Sequence, residues 1–192
     1  MSSVDAAASE AWRGEVPATF TLAADEVTAL QPPPPYHACL PRQALLPLVI
    51  GPVRDFFTPF GPPLVGAHAD MWISFRGEPV RWEVPIGPLA DLLLADDDAD
   101  DLPWQLTVHL QGFPTEKLMR CSAGAAEAHL LNTLKEACYL LCGSAAPAMA
   151  LSSDAQQQLT RAIAANNYDE FKEVGAAISR ARARAPTLSL AT

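Results

Sequence analysis

A chain of 192 residues, 49% hydrophobic and 18% charged, is long enough to bury one large core or two small ones. Its formal net charge of −9 excludes phosphate-backbone binding as a main role, because such binding draws on clustered Lys and Arg, and no nucleic-acid partner is expected. The opening MSSVDAAASE has no basic start and no long apolar run, and the longest apolar stretch, ALLPLVIGPV, is broken by Pro47, Gly51 and Pro52, far short of the ~20 residues a spanning helix needs. A soluble, cytoplasmic protein is expected.

In chain order, VPATFTLA at 16–23 reads as extended, and 37–40 as a second short strand. Two proline runs, at 32–35 and 60–63, read as stiff connectors, since proline fixes φ and cannot donate to a ladder. In ALLPLVIGPVRDFF the apolar residues at 45, 46, 49, 53 and 56 have helical spacing, with Pro47 near the start. MWISFRGEPVRWEVPI then reads as a β-hairpin: Met71, Ile73 and Phe75 alternate with Trp72, Ser74 and Arg76, Val80, Trp82 and Val84 alternate with Arg81 and Glu83, and RGEP supplies the turn. GPLADLLL follows as a short helix, DDDADD at 96–101 as an acidic loop, and WQLTVHLQGF as a strand with Leu106, Val108 and Leu110 on one face. Composition alone predicts α+β. The order of elements is close to a β-grasp domain of ubiquitin-like topology, with helices on one face of a mixed sheet.

From about residue 124 β-branched residues thin out and alanine dominates. AAEAHLLNTLKEACYLLC, SSDAQQQLTRAIAAN and YDEFKEVGAAISRARA read as three helices. Gly143 is expected to end the first, Ser153 or Asp154 to cap the second, and Asn166-Asn167 to mark the break before the third. The organisation is a ubiquitin-like β-grasp domain over 11–114, a helix-rich domain over 115–185, and a tail over 186–192. The basic cluster RARAR at 180–184 suits a helix C-terminus, where cations are favoured, better than an anionic surface.

On a helical wheel of the first helix, Leu130, Leu131, Leu134, Ala137, Cys138 and Leu141 form an apolar arc, while Glu136, Asn132, His129 and Thr133 lie opposite. Lys135, one of three lysines in the chain, falls at the rim beside Cys142 and Ala128. Its stem can pack while its ammonium reaches water, which suffices to explain it. The alternative is an acceptor amine. A lysine that attacks a thioester must be neutral, against a reference pKa of about 10.4. Partial desolvation at the rim favours that state and a rigid backbone favours orientation, while the charge of Glu136 opposes deprotonation.

Five segments together resemble the autophagy protein 5 family: WRGEVP at 12–17, LPRQALLPLV at 40–49, WISFRGEPVRWEVPIGPLADLL at 72–93, LPWQLTVHLQGFP at 102–114 and AEAHLLNTLKEACYL at 126–140. The resemblance runs from about residue 11 to 175. It implies that Lys135, in the K-E-A motif of the first central helix, accepts an isopeptide bond from the C-terminal glycine of the ubiquitin-like autophagy protein 12. Activating and conjugating enzymes of the pathway would do the chemistry, so no catalytic residue is expected in this chain, and no cofactor or metal. The conjugate, held by autophagy protein 16, would promote lipidation of autophagy protein 8, with peripheral membrane contact at the phagophore assembly site through the complex. Glu127, in the AEAH segment, is implied only as a structural or partner contact. The pattern departs from the family at Cys138, where many members have a small or acidic residue. Family members continue into a second ubiquitin-like domain where this chain ends at Thr192, so weaker binding of autophagy protein 16 is expected.

Other candidates weigh less. The four cysteines at 39, 121, 138 and 142 make no CxxC and no zinc spacing, so reduced, mostly buried thiols are expected. Cys138 and Cys142 share a helix face, but His129 lies off it, which argues against a metal. A thiol-dependent transferase using Cys138 or Cys142 is the alternative enzyme reading, and a binding-only module is a third. DDDADD lacks the glycine and distal glutamate of a calcium loop. His109 should point away from the core face shared by Val108 and Leu110, as a solvated or hydrogen-bonded histidine. Trp12, Trp72, Trp82 and Trp104 are expected to pack the β-grasp layers.

Overall fold

The computed structural model describes residues 3–62, 71–95 and 102–184, and it divides into two compact units, Met1–Ala126 and Glu127–Thr192. The DDDADD loop and the 186–192 tail lie outside the described residues.

The first unit opens with α1 (Ser3–Trp12), a helix the sequence reading did not anticipate. Its alanine-rich run carries the highest helix propensity of any residue type, but the apolar periodicity that reveals a packed helix is weak there. Five strands follow: β1 (Glu15–Leu22), β2 (Tyr36–Pro41), β3 (Trp72–Phe75), β4 (Glu78–Pro79) and β5 (Trp104–His109). They form one mixed sheet in the order β2-β1-β5-β3-β4, with β1 and β5 parallel at its centre and the other pairs antiparallel. This is the ubiquitin-like α+β arrangement. The parallel central pair forces a long crossover, which carries α2 (Leu46–Val49), α3 (Gly51–Phe57), the hairpin and α4 (Ile86–Leu93).

Strand alternation sets the core. Val16, Ala18, Phe20 and Leu22 of β1 are buried with Trp104, Leu106 and Val108 of β5, and Val53, Phe57, Ile86 and Leu89 from the helices are equally sequestered. Where α4 meets β2 the backbones come close. Gly87 N–H donates to Arg42 O at 2.8 Å, and a Cβ at residue 87 would sit 2.8 Å from Arg42 Cβ, so only glycine fits without displacement.

Two expectations in this unit needed correction, the single long helix and the length of the second hairpin strand. The helix read across ALLPLVIGPVRDFF is two helices, broken at Ile50, because Pro52 has no N–H to continue the ladder and its ring crowds the preceding turn. The hairpin turns at Arg76-Gly77, both with positive φ (52° and 83°), as a two-residue turn requires. Its second strand ends at Pro79 instead of running on to Val84: Val80 N–H still reaches Ile73 O at 2.8 Å, but 81–84 leave the ladder.

The second unit holds most of α5 (Ala123–Cys142), then α6 (Ala146–Met149), α7 (Ser153–Ala164) and α8 (Tyr168–Arg184). The four-residue α6 was not foreseen. The cap of α7 is Ser152, one residue before the expected pair, whose hydroxyl accepts from Ala155 N at 3.2 Å. Asn166, with φ 53°, ends α7: its N–H reaches Ile163 O, and Asn167 N–H reaches Ala162 O at 2.8 Å. Asn167 then starts α8 by accepting from Glu170 N and donating to the Glu170 carboxylate at 2.9 Å. Leu159, Ala162 and Ile163 of α7 and Val174 of α8 are buried. Gln158 adds a 3.0 Å hydrogen bond to Glu173 between the same two helices. No described helix is long and apolar enough to cross a membrane.

Candidate functional site

Helix α5 carries both residues singled out by resemblance. Ser122 caps its start, the hydroxyl accepting from Ala125 N at 3.2 Å. Gly143 ends it in the left-handed region, φ 71°, with its N–H on Tyr139 O at 2.7 Å. The helix between has no proline or internal break, so its side chains are held at fixed angular positions.

Lys135 is exposed. Its Nζ donates to Asn132 Oδ1 at 3.2 Å, one turn earlier on the same helix. The neighbouring Glu136 is exposed too, but it leaves the helix about 100° away. Glu127 is exposed, eight residues before Lys135, which places it about 12 Å away along the axis. The structure therefore does not bring Glu127 and Lys135 together. Of the other lysines, Lys117 is tied to the Glu78 carboxylate at 2.8 Å, and Lys172 is exposed on α8.

The apolar arc of α5 is less covered than its periodicity predicts. Cys138 is buried and Leu130, Leu131 and Leu134 are half-buried, but Ala137 is exposed and Leu141 is 75% exposed. Tyr139, Leu140 and Met149 are also exposed, so the ends of α5 and of α6 both carry uncovered apolar side chains. Periodicity shows where a helix is apolar; it does not show what covers it.

All four cysteines are free thiols. Burial, then the neighbouring Cys142, pushes the Cys138 thiol up, with a backbone hydrogen bond at Ala148 partly offsetting them. Burial and the Glu83 carboxylate push Cys121 up to about 11 against a backbone hydrogen bond at Ala126. Neither environment favours a thiolate. Among the described residues no group of three His, Cys, Asp or Glu side chains is placed to hold a metal ion.

Two further features of the first unit escaped sequence reasoning. His109 does face away from the core, but into a built cluster. Its Nδ1 lies 3.2 Å from the buried Glu26 carboxylate, its Nε2 lies 2.9 Å from Ser74 Oγ, and its ring stacks on Trp72 at 3.9 Å. Glu26 also accepts from Leu110 N. The series Glu–His–Ser has the order of a hydrolytic relay, yet Ser74 is 2% exposed, so no substrate reaches its hydroxyl. The cluster instead pins the turn at Ala24–Glu26 to β5 and β3. Glu26 could not be identified in advance because it lies 83 residues from His109. The second feature is a cavity of about 300 Å³ lined by Leu46, Trp72, Trp82, Met119, Arg120 and Cys121, among others. Trp82 sits against it with its indole N–H on Met119 O at 2.9 Å, while Trp104 is fully buried.

Comparison with known proteins follows the two units. Residues 11–110 match the family model described as autophagy protein ATG5, UblA domain, and residues 124–180 match autophagy protein ATG5, alpha-helical bundle region. Autophagy protein 5 of Oryza sativa subsp. indica is 34% identical over 169 residues, covering 88% of this chain and 43% of the relative. The Arabidopsis thaliana protein of the same name is 30% identical, with 83% and 46% covered, and that of Aspergillus fumigatus 33% identical, with 79% and 52% covered. The chain thus spans about half the length of these relatives. The crystal structure of Kluyveromyces marxianus Atg5 superposes with a TM-score of 0.72 at 21% identity, over 87% of this chain and 66% of the other, a likeness of fold.

Proposed function

The chain belongs to the autophagy protein 5 family, and on that premise we propose that it is a non-catalytic acceptor and scaffold of autophagy conjugation. In this reading Lys135 receives the C-terminal glycine of autophagy protein 12 through an isopeptide bond, made by the activating and conjugating enzymes of the pathway. The conjugate, with autophagy protein 16, promotes lipidation of autophagy protein 8, working from the cytoplasm as a peripheral component at the phagophore assembly site. Glu127 serves as a partner contact separate from the acceptor amine.

The observation that carries this reading is the state of Lys135. It stands exposed in mid-helix, and its amine meets a neutral carboxamide instead of a carboxylate. A rigid helix limits the freedom lost in reaching an attack geometry, and no carboxylate is hydrogen-bonded to the amine, only the Asn132 carboxamide. The thiol-transferase alternative fares worse at Cys138, which is buried and whose thiol holds its proton more tightly than usual.

Reconstitution with the activating enzyme, the conjugating enzyme and autophagy protein 12 tests the proposal. The expected product is an adduct that resists dithiothreitol and disappears in Lys135→Arg. A thiol-labile adduct that depends on cysteine overturns the reading in favour of the transferase. An adduct that survives Lys135→Arg and requires Lys117 or Lys172 overturns the residue assignment. Binding of an autophagy protein 16 helix with no adduct at all supports the binding-only module.

A further inference from the structure

We propose that Asn132 is a positioning residue for the Lys135 amine, its side-chain carbonyl holding Nζ so that the nitrogen lone pair faces outward to an arriving acyl group. The inference rests on Lys135 being the acceptor.

The geometry is local and complete. Asn132 and Lys135 are three residues apart on an unbroken helix, both exposed, with Nζ 3.2 Å from Oδ1. A neutral amine has two N–H bonds and one lone pair. With one N–H donated to Oδ1, the lone pair takes one of the two remaining tetrahedral positions, neither of which points at Asn132. The same contact restricts a long side chain that is otherwise free to change rotamer. The chemical nature of the partner matters as much as its place. A carboxylate partner in general stabilises an ammonium, which cannot attack. A carboxamide oxygen accepts from the amine in either state and adds no net charge. The ionisable neighbours on α5 itself are Glu136, the next residue, and Cys138 and Tyr139, one turn on.

The lone pair of Nζ attacks the carbonyl carbon of the glycine thioester carried by the conjugating enzyme. The C–N bond forms, and the tetrahedral intermediate carries positive charge on nitrogen. The C–S bond then breaks, the sulfur leaves as the enzyme's thiolate with the bonding pair, and the nitrogen's extra proton passes to water. While nitrogen is cationic the N–H···Oδ1 bond is charge-assisted, so Asn132 contributes more in the transition state than in the resting amine.

The test is single-turnover discharge of conjugating enzyme, preloaded with autophagy protein 12 as its thioester, onto a saturating concentration of the full chain at a series of pH values. Asn132→Ala is expected to slow discharge about 3–10-fold on the alkaline plateau, where the amine is neutral in both proteins, the scale of one hydrogen bond. Asn132→Asp is expected to move the profile to more alkaline pH, because a carboxylate favours the ammonium. Alanine is a better helix former than asparagine, so α5 survives the first substitution, and unchanged helical ellipticity verifies it. If Asn132→Ala discharges at the unsubstituted rate while Lys135→Arg does not discharge at all, Asn132 has no positioning role and the acceptor reading stands. If Lys135→Arg still accepts, the acceptor reading itself fails and the role of Asn132 with it.

Discussion

At the scale of single residues, the thiols separate by environment. Cys39 is exposed on β2, Cys121 is half-buried, and Cys138 is buried. Because thiolate is the reactive form, a raised pKa slows alkylation at any given pH. At about pH 8, iodoacetamide followed by peptide mapping is expected to label Cys39 well before Cys121 and Cys138. Labelling of Cys121 should climb only as pH approaches about 11. The folded state holds the Cys121 proton more tightly than an unfolded chain, whose thiol titrates near 9.0. The stability linked to that proton is therefore present below pH 9.0 and is lost as pH rises towards about 11. The rim position of Lys135 was legible from helical periodicity. Its pairing with Asn132 was not, because a wheel gives angular positions and the rotamers decide which neighbours meet.

At the scale of elements, stop and start signals carried much of the reading. Gly143 and the Asn166-Asn167 pair end helices as expected, each through a residue in the left-handed region. The cap of α7 moved by one residue among three adjacent polar candidates, Ser152, Ser153 and Asp154, and the backbone geometry chose Ser152. Ser152→Ala should destabilise the second unit by about 1 kcal/mol, while Ser153→Ala should change little. Urea unfolding followed by circular dichroism measures the difference. The split of α2 from α3 was latent in Gly51-Pro52. An apolar spacing that survives across a proline hides the broken hydrogen-bond ladder beneath it. The loss of strand after Pro79 has the same cause, since alternation of Val80, Trp82 and Val84 describes faces and not pairing partners.

At the scale of the whole molecule, the first unit depends on the centre of its sheet, where β1 lies parallel to β5 more than 80 residues later in the chain. Phe20 is fully buried on β1, opposite Leu106 in the register. Phe20→Ala should cost the first unit about 3–5 kcal/mol through lost burial and the cavity left behind. A shift of its urea midpoint at unchanged slope is the expected signature. The amino-acid sequence by itself determined most element types, the α+β class, the family through five spaced motifs, and the angular position of Lys135 on its helix. These depend on local periodicity, on glycine and proline chemistry, and on residue identity, all of which act over a few residues. Tertiary structure alone decided that Glu26, His109 and Ser74 converge, that Cys138 is buried while Leu141 is left open, and that an apolar cavity forms beside Trp82. Each of those needs residues distant in the chain to meet, or needs to know what covers an apolar face, and no local pattern contains that information.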